Sequence, residues 1–175
     1  MTARPFLTTE RLELWHPRAG DLEARHAVVT HPATGRFLGP IATLHEHAIR
    51  FMRGAGSWFL YGYGPLMLRL RGRDAVIGNC GIFHTFRGLG ADFDDHPEAG
   101  WIVGAEHVGQ GLGGEAMKAV LGWFDREHGR RRIVCMIAMR NEGSLRLADK
   151  LGFTPLRQTD LPEGDTVQLL ERLSE

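Results

Sequence analysis

Cysteine is scarce in this chain, with only Cys80 and Cys135, both inside apolar strand-like runs. That excludes a disulfide-stapled scaffold and reads as two buried free thiols in a reducing cytosol. Net charge is missing as well. The 21 basic and 21 acidic residues cancel, so nothing points to nucleic acid or a membrane surface as partner. Long hydrophobic runs are lacking, and the N-terminus has no signal-peptide core, so the expected location is cytoplasmic. Lysine is confined to Lys118 and Lys150 in an arginine-rich chain, and no function follows from that. Metal patterns are absent too. His45 and His47 in HEHAI lack the i, i+4 spacing of a zinc helix and read as surface histidines. Asp92, Asp94 and Asp95 lack EF-hand spacing and a distal Glu, so GLGADFDDHPE reads as a solvated hairpin loop. No repeat, linker or low-complexity tract is visible.

What is present is ordinary in bulk. Hydrophobic residues at 43% and charged residues at 24% suit a globular protein. Residues 1–175 fit one domain with a sizeable core. The chain is organised around Glu98 to Ala116, EAGWIVGAEHVGQGLGGEA. Ala99 to Val103 is a short apolar run with β-branched Ile102 and Val103, which predicts a strand. Gly109, Gly111, Gly113 and Gly114 then lead into a helix with Ala116, Met117, Val120, Leu121 and Phe124 on one face. The first N–H groups of a helix have no intrahelical partner and lie at the positive end of its dipole. Glycines clear side chains from in front of them and permit φ > 0, so several N–H groups can converge. Gly109 to Gly114 therefore reads as an anion cradle suited to a pyrophosphate.

Two familiar cradles do not fit. A P-loop ends in Gly-Lys-Ser/Thr, and this stretch has Gly113-Gly114-Glu115. GQGLGG matches the dinucleotide fingerprint literally. That motif follows its strand at once, and an acidic residue closes the next strand about 20 residues on. Here GAEHV intervenes, and the next apolar run, Ile133 to Met139, ends in Arg140 and Asn141.

A third cradle fits over nearly the whole chain. GWIVGAEHVGQGLGGEAM resembles the acetyl-coenzyme A motif of the GNAT N-acetyltransferases, particularly the RimJ/RimL-like (ribosomal-protein-alanine acetyltransferase-like) branch. RNEGSLRLADKLGF resembles the family's Asn-x-x-Ser…Leu-Gly-Phe signature, and TTERLELWHPRAGDLEA resembles its Thr-x-Arg-Leu…Asp opening. The wider superfamily often has Gln or Arg where this chain has Val108, and the apolar residue marks the RimJ/RimL-like branch.

The resemblance implies the GNAT fold, an α/β (α+β) domain with a mixed, mostly antiparallel sheet, a splayed strand pair and helices on both faces. It implies acetyl-coenzyme A as co-substrate, no metal, and transfer of the acetyl group to a primary amine of a small molecule or a protein N-terminus by direct attack in a ternary complex. It implies cofactor contacts from Ile102, Val103, Val108, Gly109, Gln110, Gly111, Gly113, Gly114 and Asn141. Ser144 would sit near the sulfur and donate to the leaving thiolate. The family's usual Tyr, four residues past such a position, is replaced here by Ala148. Glu98, sharing a strand face with Gly100 and Ile102, could take the ammonium proton through a water, and His84 is the alternative base. A non-catalytic acyl-coenzyme A binder or sensor is the competing reading. A homodimer is the one assembly kept open.

Along the rest of the chain, Arg11 to Trp15 predicts a first strand, and Asp21 an N-cap for a helix over Leu22 to Thr30. Thr43 and Glu46 form a capping-box pattern for a second helix carrying Ile49, Phe51 and Met52. In the GNAT fold these two helices wall the acceptor site. Of Phe37, Trp58, Phe59, Tyr61 and Tyr63, most are expected in the core. Pro65 to Arg71 and Ala75 to Phe86 predict a hairpin. Glu142 to Leu151 predicts a helix ended by Gly152. Phe153 to Leu156 and Thr166 to Leu173 predict the last strands.

Overall fold

The computed structural model describes residues 4–173. The alternating apolar runs build one eight-stranded sheet, and helices fill the connections. In chain order the elements are β1 (Leu7–Thr8), β2 (Leu12–Trp15), α1 (Asp21–Thr30), α2 (Pro32–Gly35), α3 (Leu44–Tyr61), β3 (Pro65–Leu70) and β4 (Gly78–Phe83). There follow α4 (Ala91–Asp94), β5 (Glu98–Val103), α5 (Leu112–His128), β6 (Ile133–Ala138), α6 (Glu142–Lys150), β7 (Thr154–Asp160) and β8 (Thr166–Arg172). The sheet order is β1-β2-β3-β4-β5-β6-β8-β7. Every neighbouring pair is antiparallel except β5 and β6, which run parallel.

One face of the sheet carries the main core. Leu12, Leu14, Leu66, Leu68, Cys80, Ile82, Ala99 and Cys135 meet Ala116, Met117, Val120, Leu121 and Phe124 of α5 there. These five are the face predicted from helical spacing, and burying each large one stabilises the fold by about 1.5–3 kcal/mol. Both cysteines are free and buried, and burial pushes the Cys80 thiol up to about 12. The opposite face holds a smaller cluster of Phe93, Val134, Val167 and Leu169.

Several expectations are corrected. The stretch after Gly88 is not a purely solvated loop. It contains the single turn α4, which buries Phe93, while Asp94 accepts from the Arg87, Leu89 and Gly90 amides. Asp92 pairs with Arg157 of β7 at 2.8 Å. Gly20, not Asp21, is the N-cap of α1. Strand β7 runs to Asp160, because a register shift between Pro155 and Arg157 breaks the alternation that the sequence would show. Phe59 is 92% exposed and Tyr61 also lies at the surface, whereas Tyr63 is buried. Ile49 and Met52 of α3 are exposed too. The Thr43–Glu46 capping box is present as predicted, and Gly152 has φ 84 after α6.

Candidate active site

Strand β5 is shared between two partners along its length. It pairs with β4 from Glu98 to Val103, but with β6 only at Glu98↔Val134, where the Val134 amide donates to Pro97 at 2.9 Å. Beyond that point β6 continues against β8 to Ala138. The two parallel strands therefore diverge, and the β6-facing backbone groups beyond the Ala99 amide, those of Trp101 and Val103, have no ladder partner. Backbone groups left unpaired inside a sheet need another chain-like partner. A slot of this kind suits an extended ligand with amides of its own, and Trp101 and Val103 turn their backbone groups into its open half, whereas the backbone of Ile102 faces Asn79 of β4.

The mouth of the slot leads into the cradle. A 3₁₀ turn over Ala105–His107 and the exposed, extended Val108 carry the chain to Gly109 and Gly111, whose φ values are 82 and 77. Among the described residues no protein group accepts from the backbone amides of Gly109 through Gly114. The first amide of α5 that is bonded belongs to Glu115, which donates to Gly111 at 3.0 Å. A Cβ added at Gly109 would meet nothing within 4 Å. These are the attributes an anion site needs. Gly113 and Gly114 have a second task. A Cβ there would lie 3.4 Å and 3.3 Å from Leu147, so their bareness lets α5 approach α6.

The chain's opening motif braces this cradle, a link that sequence spacing does not show. The Thr9 hydroxyl donates to Glu115 at 2.5 Å, and the Arg11 amide and guanidinium donate to the same carboxylate at 2.8 and 2.7 Å. Arg11 Nη1 also donates to the Gln110 carbonyl at 2.8 Å. Burial pushes the Glu115 carboxyl up, but these donors outweigh it and hold it below its ordinary value. The first turn of α5 is thus fixed to β2.

Across the slot, Asn141 caps α6, its side chain accepting from the Ser144 amide at 3.2 Å. The Ser144 hydroxyl accepts from the Trp101 indole N–H of β5 at 3.3 Å. With that lone pair engaged, its own O–H is free to donate elsewhere. So the described residues bring β5, the cradle, Asn141 and Ser144 around one slot.

Glu98 stands at the slot's narrow end and is 4% exposed. Arg87 grips it through Nη2 at 2.7 Å and Nε at 2.9 Å, and the Thr85 hydroxyl donates to it. His84 lies nearby with its Nδ1 buried and without a hydrogen-bond partner. Burial, then His96 and Arg131, lower its pKa against a smaller opposing pull from Glu98. Its imidazole is therefore neutral at pH 7.

His47 is not a surface histidine. It is 2% exposed, packed 5.0 Å from the His26 ring and beside Arg25. Burial first, and then Arg25, lower its pKa from 6.5 to about 4. The unfolded chain takes up a proton at His47 between those values and the folded protein does not. The stability this confers is complete above about pH 6.5 and is lost as the pH falls to about 4. Thermal melts should show Tm dropping over that window, with a shallower drop in His47→Gln. Equal slopes in the two proteins would remove His47 from the acid response.

Comparison with known proteins agrees with this geometry. The family model of the acetyltransferase (GNAT) domain matches residues 11–154. A GNAT-family acetyltransferase of Bordetella pertussis is 34% identical, with a TM-score of 0.85 over 95% of this chain and 98% of the other. An acetyltransferase of Agrobacterium tumefaciens C58 is 26% identical, with a TM-score of 0.82 over 99% and 97%. A RimL ribosomal L7/L12 α-N-protein acetyltransferase in complex with coenzyme A shares the fold at 17% identity, with a TM-score of 0.74 over 97% and 96%. The splayed strand pair, the glycine turn and these matches agree, and the chain belongs to the GNAT acetyltransferase family.

Proposed function

We propose that residues 1–175 act as one GNAT domain of the RimJ/RimL-like branch, moving an acetyl group from acetyl-coenzyme A to a primary amine of a small molecule or a protein N-terminus. The observation that carries this reading is the continuity of the β5–β6 slot with the unbonded amides of Gly109 to Gly114. Those amides suit the pyrophosphate, with Val108 and Gln110 beside it. Val103 and Asn141 suit the amide-bearing arm, and Ile102 flanks it. The thioester supplies the acyl group and a thiolate that departs as the amine attacks. Mixing the protein with acetyl-coenzyme A and a panel of amines tests the reading directly. Free thiol appearing only when an amine is present supports it, whereas binding without thiol release would support the acyl-coenzyme A sensor instead.

Ser144 is the group we assign to the departing thiolate, because Trp101 fixes its oxygen and leaves its proton free. A hydrogen bond that strengthens as charge develops acts on turnover more than on binding. Ser144→Ala should lower kcat by about 10- to 100-fold, the worth of one hydrogen bond to a charged group, while acetyl-coenzyme A affinity changes little. Equal kcat at saturating substrates would exclude this role.

Glu98 is the group we assign to the ammonium proton, through a water. His84 competes because its buried Nδ1 lacks a partner. If Glu98 is the base, Glu98→Gln slows the reaction most at low pH, where free amine is scarce. A loss uniform across pH would mean that Glu98 positions Arg87 instead. A low-pH loss in His84→Gln alone would move the base there.

A further inference from the structure

The buried Arg69 and the half-buried Arg172 have carboxylate partners, Asp21 and Asp125. Arg25 of α1 does not. Among the described residues no carboxylate comes within 4.0 Å of it. Its Nε donates to Asn79 of β4 at 3.0 Å, and its Nη1 lies 3.2 Å from Nε2 of His47. Burial, and then Arg50, pull its pKa down to about 10. Its nearest polar side chains, Asn79 and His47, are themselves buried, and His47 is neutral at pH 7. A desolvated cation without a counter-charge is costly, so its retention calls for an anion from outside the chain. Nη2 of Arg25 has no protein acceptor among the described residues and is left for one.

Its position says which anion. Cys80 belongs to the core under α5, so Asn79, next along β4, faces the other side of the sheet, where α1 lies. In the β4–β5 register Asn79 stands opposite Ile102, on the open half of the slot. Helix α5 covers the core face, so an acceptor reaches the slot from the side that Arg25 occupies, about one strand spacing away. We propose that Arg25, braced by Asn79 and His47, is an anion subsite for the acceptor, and that the acceptor amine carries a carboxylate on the same molecule. This rests on the acetyl-transfer reading for the amine but not for the anion.

Two measurements test it. The first is thiol release with matched pairs: amino acids against their amides, and short peptides with Asp against Asn beside the N-terminal residue. The carboxylate member should have the higher kcat/KM. Arg25→Gln should raise its KM by about 10- to 100-fold, the worth of a charge-assisted bond, with kcat and the KM of the neutral member little changed. Arg25→Lys should recover part of the loss. Preference confined to the amino acids, or to the peptides, identifies the source of the carboxylate. The second is a thermal shift with succinate against succinamide, which needs no turnover. Succinate alone should raise Tm, and only with Arg25 present. Equal kinetics for acid and amide together with an Arg25-independent shift would overturn the subsite. An Arg25-dependent succinate shift without thiol release from any amine would leave the subsite standing and overturn acetyl transfer.

Discussion

Gly111→Asp is expected to abolish acetyl-coenzyme A binding in a protein that still folds. Gly111 is the N-cap of α5 with φ 77, and the amides of Leu112, Gly113 and Gly114 that follow it have no protein acceptor among the described residues. Aspartate is among the residues that tolerate this left-handed backbone, at a cost of about 1 kcal/mol. It is also a preferred N-cap, since its carboxylate accepts from the amides of the first helical turn. An added Cβ would lie 3.5 Å from Arg11 Nη2, so the new side chain also gains a cationic neighbour. The helix thus keeps its start, while the new carboxylate stands at the amides that we assign to a pyrophosphate. A carboxylate facing a diphosphate costs several kcal/mol, which is about a 100-fold or greater loss of affinity. Gly111→Asn, with the same shape and no charge, should lose less. Calorimetry showing unchanged acetyl-coenzyme A affinity in folded Gly111→Asp would remove the cradle from the cofactor site.

The glycine turn and the helix start behind it could be read from the sequence because their geometry is local. Glycines, a helix start and a preceding strand lie within a single stretch, and each acts on its immediate neighbours. The capping box at Thr43 and the stop at Gly152 were legible for the same reason. Asp21, His47 and Arg25 were not. The partner of Asp21 is Arg69, 48 residues away, and that of Arg25 is Asn79, 54 residues away. No spacing rule connects them. HEHAI looks like a solvated helix start until α1 is laid across it. Phe93, in a stretch rich in turn formers, could not be recognised as core without knowing that β6 and β8 pass beneath it. Likewise the Thr-x-Arg-Leu opening resembled a family signature without a physical reason. The bonds from Thr9 and Arg11 to Glu115 supply that reason.

Asp21→Ala separates the local reading from the tertiary one by magnitude. As a helix cap alone, Asp21 would contribute about 1 kcal/mol. In the structure it is 4% exposed and accepts from Arg69 at 2.5 Å and from the Arg18 amide at 3.0 Å. Arg69 is equally buried, and its Nη1 already lacks a hydrogen-bond partner. Its other anionic neighbour is the exposed Asp74 carboxylate at 3.5 Å, which solvent screens. Removing Asp21 leaves the guanidinium buried without a close counter-charge, at a cost of about 3–5 kcal/mol. Urea unfolding should therefore show a lower midpoint with an unchanged slope. Asp21→Ala/Arg69→Met should recover most of the loss, because no charge is then stranded. Since α1 also carries Arg25, the single variant should raise the KM of a carboxylate-bearing amine even at temperatures where it stays folded. A loss of only about 1 kcal/mol, the size of a cap, would mean that Asp21 acts on its own helix and leaves Arg69 solvated.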